Sequence, residues 1–95
     1  MPEKMILEIP VKADKRDEFL TALDGALPDT KAYEGNIKTE VWLPEDDDSL
    51  VLIYEEWATR ANQEAYFNWR IETGMMDAMA PFFAGEPRVV WLQER

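Results

Sequence analysis

LVLIYEEW, residues 50–57, decides the fold. A run this short, apolar at most positions and bounded by polar residues, reads as a strand. Successive side chains of a strand point to opposite faces. Val51, Ile53, Glu55 and Trp57 therefore share one face, and Leu50, Leu52, Tyr54 and Glu56 the other. Both faces are apolar, and a strand apolar on both sides is covered on both sides. Glu55 and Glu56 point apart, so they cannot cooperate as a carboxylate pair. If the Trp57 face lies beneath helices, Glu55 is the carboxylate that goes inside. A buried carboxylate calls for a cationic partner, and Arg70 is the candidate.

Upstream of this strand, Ile37, Thr39, Val41 and Leu43 alternate with Asn36, Lys38, Glu40 and Trp42, which predicts a second strand and an antiparallel hairpin. Met5 to Val11 is a further strand, with Pro10 confining its end to an edge or a bulge. Asp14 offers a helix N-cap. Phe19, Leu20, Leu23 and Leu27 then recur at helical spacing until Pro28, where the pattern is expected to stop and Asp29 with Thr30 to begin a new turn. Downstream, Thr59 is an N-cap for a helix that runs to Gly74 as its C′ residue. Ala61, Ala65, Tyr66 and Trp69 form one stripe of that helix, Phe67 and Ile71 lie nearly opposite, and Arg70 falls at the boundary of the packed region. Met75 to Phe83 begins as a short helix interrupted at Pro81, and Arg88 to Leu92 is the last strand.

The order strand, helix, strand, strand, helix, short helix, strand predicts one domain over residues 1–95. Its class is α+β: a ferredoxin-like, four-stranded antiparallel sheet with helices on one face. The other sheet face would be bare in a monomer. The chain carries four Trp, three Tyr and four Phe, more rings than so small a core hides. A homodimer through the sheet face would bury the surplus.

Twenty acidic against ten basic residues give a net charge of −10, which repels nucleic acid and anionic membrane surfaces. The acidic run 45–48 reads as a solvated loop rather than a metal site. The sequence holds no cysteine and no histidine, so the usual nucleophile and base pairs, sulfur-ligated metals and the common haem ligand are missing. No eighteen-residue apolar run is present, and a soluble, cytoplasmic protein is the expectation. Tyr33, Trp42, Trp57, Tyr66 and Trp69 either line a flat slot for an aromatic ring or make plain core. Asn36 and Asn62 either bind a ligand or cap and turn the chain. Arg70 is either a working group or the rim of a packing helix.

The stretches "LIYEEWAT" and "ANQEAYFNWRIETG", followed by a short helix and a final strand, together with "LPDTKAYEGN" at residues 27–36, resemble the antibiotic biosynthesis monooxygenase domain. The resemblance covers essentially the whole chain. It implies a dimeric α+β barrel, in which two protomers bury their sheets against each other and each keeps a cavity between its sheet and its helices. It also implies oxidation of a small aromatic or quinol by molecular oxygen with no cofactor, the protein supplying a dry cavity, orientation and hydrogen bonds. Trp57 matches the family's pocket tryptophan. On this reading Trp57, Arg70 and Tyr66 are the catalytic candidates, with Arg70 or Tyr66 stabilising a developing phenolate. Trp69, Ile53, Glu55, Asn36 and Tyr33 complete the substrate site. The sequence departs from a haem-degrading branch, since Tyr66 and Phe67 stand where that branch has its histidine. Ile53 stands where some aromatic-oxidising members have an asparagine. The rival reading is a non-catalytic, small-ligand-binding or structural dimer of the same fold, favoured by the lack of an evident general base. Haem binding without degradation would need an axial Tyr or Met.

Overall fold

Strand β3, Leu50–Trp57, sits inside the sheet with β1, Glu3–Pro10, as its antiparallel neighbour. The pair's register places Met5, Leu7 and Ile9 opposite Glu55, Ile53 and Val51, so the helix-facing side chains of both strands fall in one block. Strands β2, Asn36–Trp42, and β4, Arg88–Leu92, take the edges, giving the order β2-β3-β1-β4 with every pair antiparallel. The structure, a computed structural model, describes residues 2–95. Helices α1, Arg16–Ala32, α2, Arg60–Glu72, and α3, Met75–Met79, complete a ferredoxin-like α+β arrangement. Beneath them, Ile9, Val11, Phe19, Leu23, Val51, Ile53 and Met79 form the buried core. Burial of such side chains contributes roughly 1.5–3 kcal/mol each.

The alternation along β3 is complete: Val51, Ile53, Glu55 and Trp57 are buried, and Leu50, Leu52, Tyr54 and Glu56 are half-exposed. Pro10 ends a strand that is internal. It lies beyond Glu8, the last β1 residue paired with β4, so its missing N–H interrupts no ladder on that side.

Two features of α1 differ from the sequence expectation. A short 3-10 turn, Ala13–Lys15, precedes the helix, and Asp14 lies within that turn without capping anything. More important, the helix does not stop at Pro28 but runs through it to Ala32. Proline removes one helical hydrogen bond, to the carbonyl four residues earlier, which here belongs to Asp24. Both Asp24 and Pro28 are exposed, so water can satisfy that carbonyl. The extra turn carries Thr30 onto the buried face.

Helix α2 begins as its sequence predicts, Thr59 Oγ1 accepting from the Asn62 backbone N–H at 3.1 Å, and Gly74 follows it at φ +83. Its inward stripe, however, is Gln63, Tyr66, Phe67 and Arg70, at spacing i, i+3, i+4, i+7. Ala61, Ala65 and Ile71 face outward, and the most buried positions are the polar ends, Gln63 and Arg70. Apolar periodicity misassigns this face because polar groups with partners inside can be buried as well as apolar ones.

Gly35 links α1 to β2 at φ +87, and a Cβ added there would overlap the Asn62 side chain. At Gly74, also at positive φ, nothing lies within 4 Å of such a Cβ. Gly35→Ala should therefore destabilise the fold by at least about 2 kcal/mol and Gly74→Ala by only about 1 kcal/mol. Paired denaturant melts check the order of the two.

Candidate functional site

Between the sheet and the helices lies a partly open cavity of about 90 Å³. On the scale of about 10–15 Å³ per water, it has room for several waters or a small ligand. Its walls are mostly apolar, with Met5, Leu7 and Ile9 from β1, Phe19, Leu23 and Leu27 from α1, Phe67 from α2, and Met75, Met76 and Met79 from α3. The methionines make an adaptable wall, because an unbranched thioether fills irregular space in several rotamers. Five polar side chains interrupt these walls: Thr30, Thr39, Glu55, Gln63 and Arg70, with the Tyr66 hydroxyl beside them.

Arg70 reaches its place from the last turns of α2. Its Nε donates to the Tyr66 hydroxyl at 2.9 Å, and one terminal nitrogen, Nη2, donates to the Ala26 carbonyl at 2.8 Å and to Thr30 Oγ1 at 3.0 Å. Thr30 Oγ1 and the Tyr66 hydroxyl are 2.6 Å apart, a hydrogen bond in which either hydroxyl can donate, and it closes the network. The guanidinium also lies 4.6 Å from the centre of the Trp69 ring and 5.3 Å from that of Tyr66. Arg70 is 6% exposed, a buried cation rather than the rim of a packing helix. Its other terminal nitrogen, Nη1, makes no hydrogen bond or ion pair among the described residues.

Glu55 is 4% exposed, and the expected ion pair with Arg70 does not form: no guanidinium nitrogen comes within 4 Å of its carboxylate. Arg70 is held instead by α1 through Ala26 and Thr30, the latter on the turn that the helix adds by continuing past Pro28. The partner of Glu55 is Trp57, two residues along the same strand face, whose indole N–H donates to Oε1 at 2.8 Å. Burial pushes the Glu55 carboxyl above the usual carboxylate range, and the indole hydrogen bond partly opposes that rise. The second oxygen, Oε2, has no hydrogen-bond partner among the described residues. Gln63, 7% exposed, also makes no side-chain hydrogen bond among them.

Of the residues singled out by sequence, Ile53, Glu55, Tyr66 and Arg70 line the cavity together. Trp57, Trp69, Tyr33 and Asn36 do not. Trp57 is fully buried behind Glu55 and packs its ring 5.2 Å from Tyr66 and 6.4 Å from Tyr33, centre to centre. Tyr33 and Trp69 stack at 5.4 Å within the same aromatic cluster. Asn36 donates to Thr39 Oγ1 at 2.8 Å, a bond that steadies the hydroxyl on the cavity wall. Gln63, Thr30 and Thr39 are cavity residues that sequence reasoning passed over. The signal for Gln63 was its place three and seven residues before Tyr66 and Arg70.

The fold and this cavity define a class: a ferredoxin-like α+β protein with a partly open site between sheet and helices. The family model for antibiotic biosynthesis monooxygenase matches residues 4–80, and the chain belongs to that family. Among solved structures, a conserved protein from Methanosarcina mazei Go1 is similar at TM-score 0.87 and 15% identity, covering 100% of this chain and 94% of that one. An antibiotic biosynthesis monooxygenase superposes at TM-score 0.85 with 17% identity, covering 100% and 99%. A candidate antibiotic biosynthesis monooxygenase from Nitrosomonas europaea gives 0.80 at 23% identity, over 98% and 89%. At these identities the likeness carries the fold. No curated protein matches the chain. Among the described residues, no helix is long and apolar enough to cross a membrane.

Two outcomes follow from the buried charges. Arg70→Ala removes three charge-assisted hydrogen bonds and should cost about 3 kcal/mol of stability, with Arg70→Lys recovering only part because lysine lacks the planar fork. Urea denaturation measures both. For Glu55, the raised folded pKa means the unfolded chain gives up this proton first as pH rises. Stability from this group is full below the ordinary glutamate value and is lost as pH climbs through the raised one. Glu55→Gln should therefore raise the melting temperature at neutral pH, and the gain should vanish at acidic pH.

Proposed function

We propose that this protein is a cofactor-independent monooxygenase that oxidises a small aromatic or quinol with molecular oxygen. The observation that carries the reading is the cavity itself: apolar walls sized for a small ring, with the buried Arg70 cation beside the Tyr66 hydroxyl at one part of its lining. A phenol or quinol reacts with oxygen through its electron-rich anion. A fixed cation and hydrogen bonds in a water-poor site favour that anion more strongly than water does. Arg70 Nη1 is the donor free to meet it. Ile53, Phe67 and the α3 methionines would hold the ring. Trp57 would act through Glu55, and Tyr33 and Trp69 would brace Tyr66 and Arg70 from behind. Family membership supports the same chemistry.

A second copy of the chain is the proposed partner, packed on the open sheet face. There Ile6, Leu52, Tyr54 and Trp42 surround a shallow depression, and Trp42 is 59% exposed. Val90 and Leu92 extend the apolar area along β4, as the register places them beside Ile6 and Lys4. Covering such a face by an identical one buries both. The rival role, a dimer that binds a small ligand without chemistry, draws on the Arg70 network, since three of its hydrogen bonds already serve the fold.

Oxygen uptake by the metal-stripped protein with a panel of quinols and anthrone-like aromatics, against autoxidation controls, decides between the two. Uptake above control that falls at least tenfold in Arg70→Lys, a variant retaining the charge but not the fork, supports the oxygenase. A folded protein that binds ring compounds but consumes no oxygen leaves the binding role. For the partner, Trp42→Glu with Leu52→Asp should halve the mass seen by light scattering, and an unchanged mass would place the interface elsewhere.

A further inference from the structure

We propose that Glu55 is the base of this site, its free oxygen taking the proton from the acidic hydroxyl of a phenol or quinol bound in the cavity. The inference rests on the oxygenase reading for its substrate class, but it stands on geometry of its own. Among the described residues, the titratable side chains on the cavity wall are Glu55, Tyr66 and Arg70. Tyr66 is already committed to Thr30 and Arg70, and Arg70 is a permanent cation, so Glu55 alone can accept a proton there. The carboxylate is anchored at one oxygen by the Trp57 indole and unpartnered at the other. It is flanked across the sheet by Met5 on β1 and Thr39 on β2, neither of which ionises. Among the described residues, no other charged side chain from α1, α3 or β4 reaches the cavity wall.

A buried carboxylate with one satisfied and one open oxygen, in a site whose remaining charge is positive, has the makings of a general base. In the step, the substrate O–H bond breaks, its proton bonds to Oε2, and the electron pair stays on the substrate oxygen as a phenolate. The negative charge thus passes from Glu55 to the ligand, and Arg70 is the cation that meets it. No oxidant enters this step. Burial raises the Glu55 pKa above the ordinary carboxylate value, a direction that strengthens it as a base. Trp57 is a positioning residue: its indole N–H fixes the carboxylate and restrains that upward shift.

The test uses 4-nitrophenol as a chromophoric probe and protein labelled with carbon-13 at glutamate side-chain carboxyls, at a pH below the free probe's own pKa at which the Glu55 signal of the probe-free protein is ionised. The expected result is that the probe's phenolate band and the protonated Glu55 carboxyl signal rise together at one to one. Failure of the probe to bind up to its solubility limit, or a Glu55 signal that stays ionised when it binds, overturns the proposal. Turnover supplies the second arm. Oxygen uptake should rise with pH through the Glu55 titration; Glu55→Gln should lose that limb and fall by about 100-fold or more. Trp57→Phe should keep the limb but move it to higher pH, a shift that simple loosening of the core would not produce. Proton transfer without oxygen uptake would sink the oxygenase and keep the base. Uptake undiminished in Glu55→Gln would do the reverse.

Discussion

The Arg70 guanidinium ties α2 to α1, and the cavity depends on that tie. Without it, apolar contact and the single Thr30–Tyr66 hydrogen bond would be left to fix the spacing of two helices over the sheet. With it, three hydrogen bonds set the position of Tyr66, Thr30 and the Ala26 carbonyl together. A charge buried this deeply is tolerated only where its donors are met, and directional bonds then specify one arrangement of the helices where apolar packing would allow several. The same constraint keeps a polar lining in an otherwise apolar chamber, so one residue links fold to chemistry.

Glu55 is the counterpart of that constraint and its opposite in character. Arg70 is held through Nε and Nη2 by three hydrogen bonds, whereas Glu55 has one partner and, among the described residues, an open oxygen. The fold bears the cost of burying it at neutral pH, a cost that a glutamine would avoid while keeping the acceptor for the Trp57 indole. Groups that lower stability while keeping a reactive atom free are characteristic of working sites, where local strain is offset by the surrounding packing. The aromatic cluster of Tyr33, Trp57, Tyr66 and Trp69 supplies that packing here.

Much of the fold was legible because strands and helices write their periods into the order of residues. The two-residue alternation of Leu50 to Trp57 put Glu55 and Glu56 on opposite faces, with Glu55 inside if the Trp57 face met the helices, and the structure buries that face. Thr59 and Gly74 marked the ends of α2 through backbone chemistry that acts locally. The reading failed where a local rule met a wider context. Pro28 does not end α1, since it and Asp24 lie on the exposed side of the helix, where water can satisfy the carbonyl it frees. The inward stripe of α2 was misassigned because its deepest members, Gln63 and Arg70, are polar and find their places only against a cavity.

What the sequence by itself determined is the element order, the antiparallel sheet, the buried carboxylate and the lack of cysteine and histidine, each a matter of near-neighbour pattern or composition. What only the tertiary structure decided is who meets whom. Residue spacing left Arg70 as a natural partner for Glu55, and the folded chain gives Arg70 to Thr30 and Ala26, forty and forty-four residues away. It also turns Trp57 from a wall of the cavity into the hand that holds Glu55. Contacts at such separation depend on how helices lie across a sheet, and that is set by the packing of the whole chain rather than by any stretch of it.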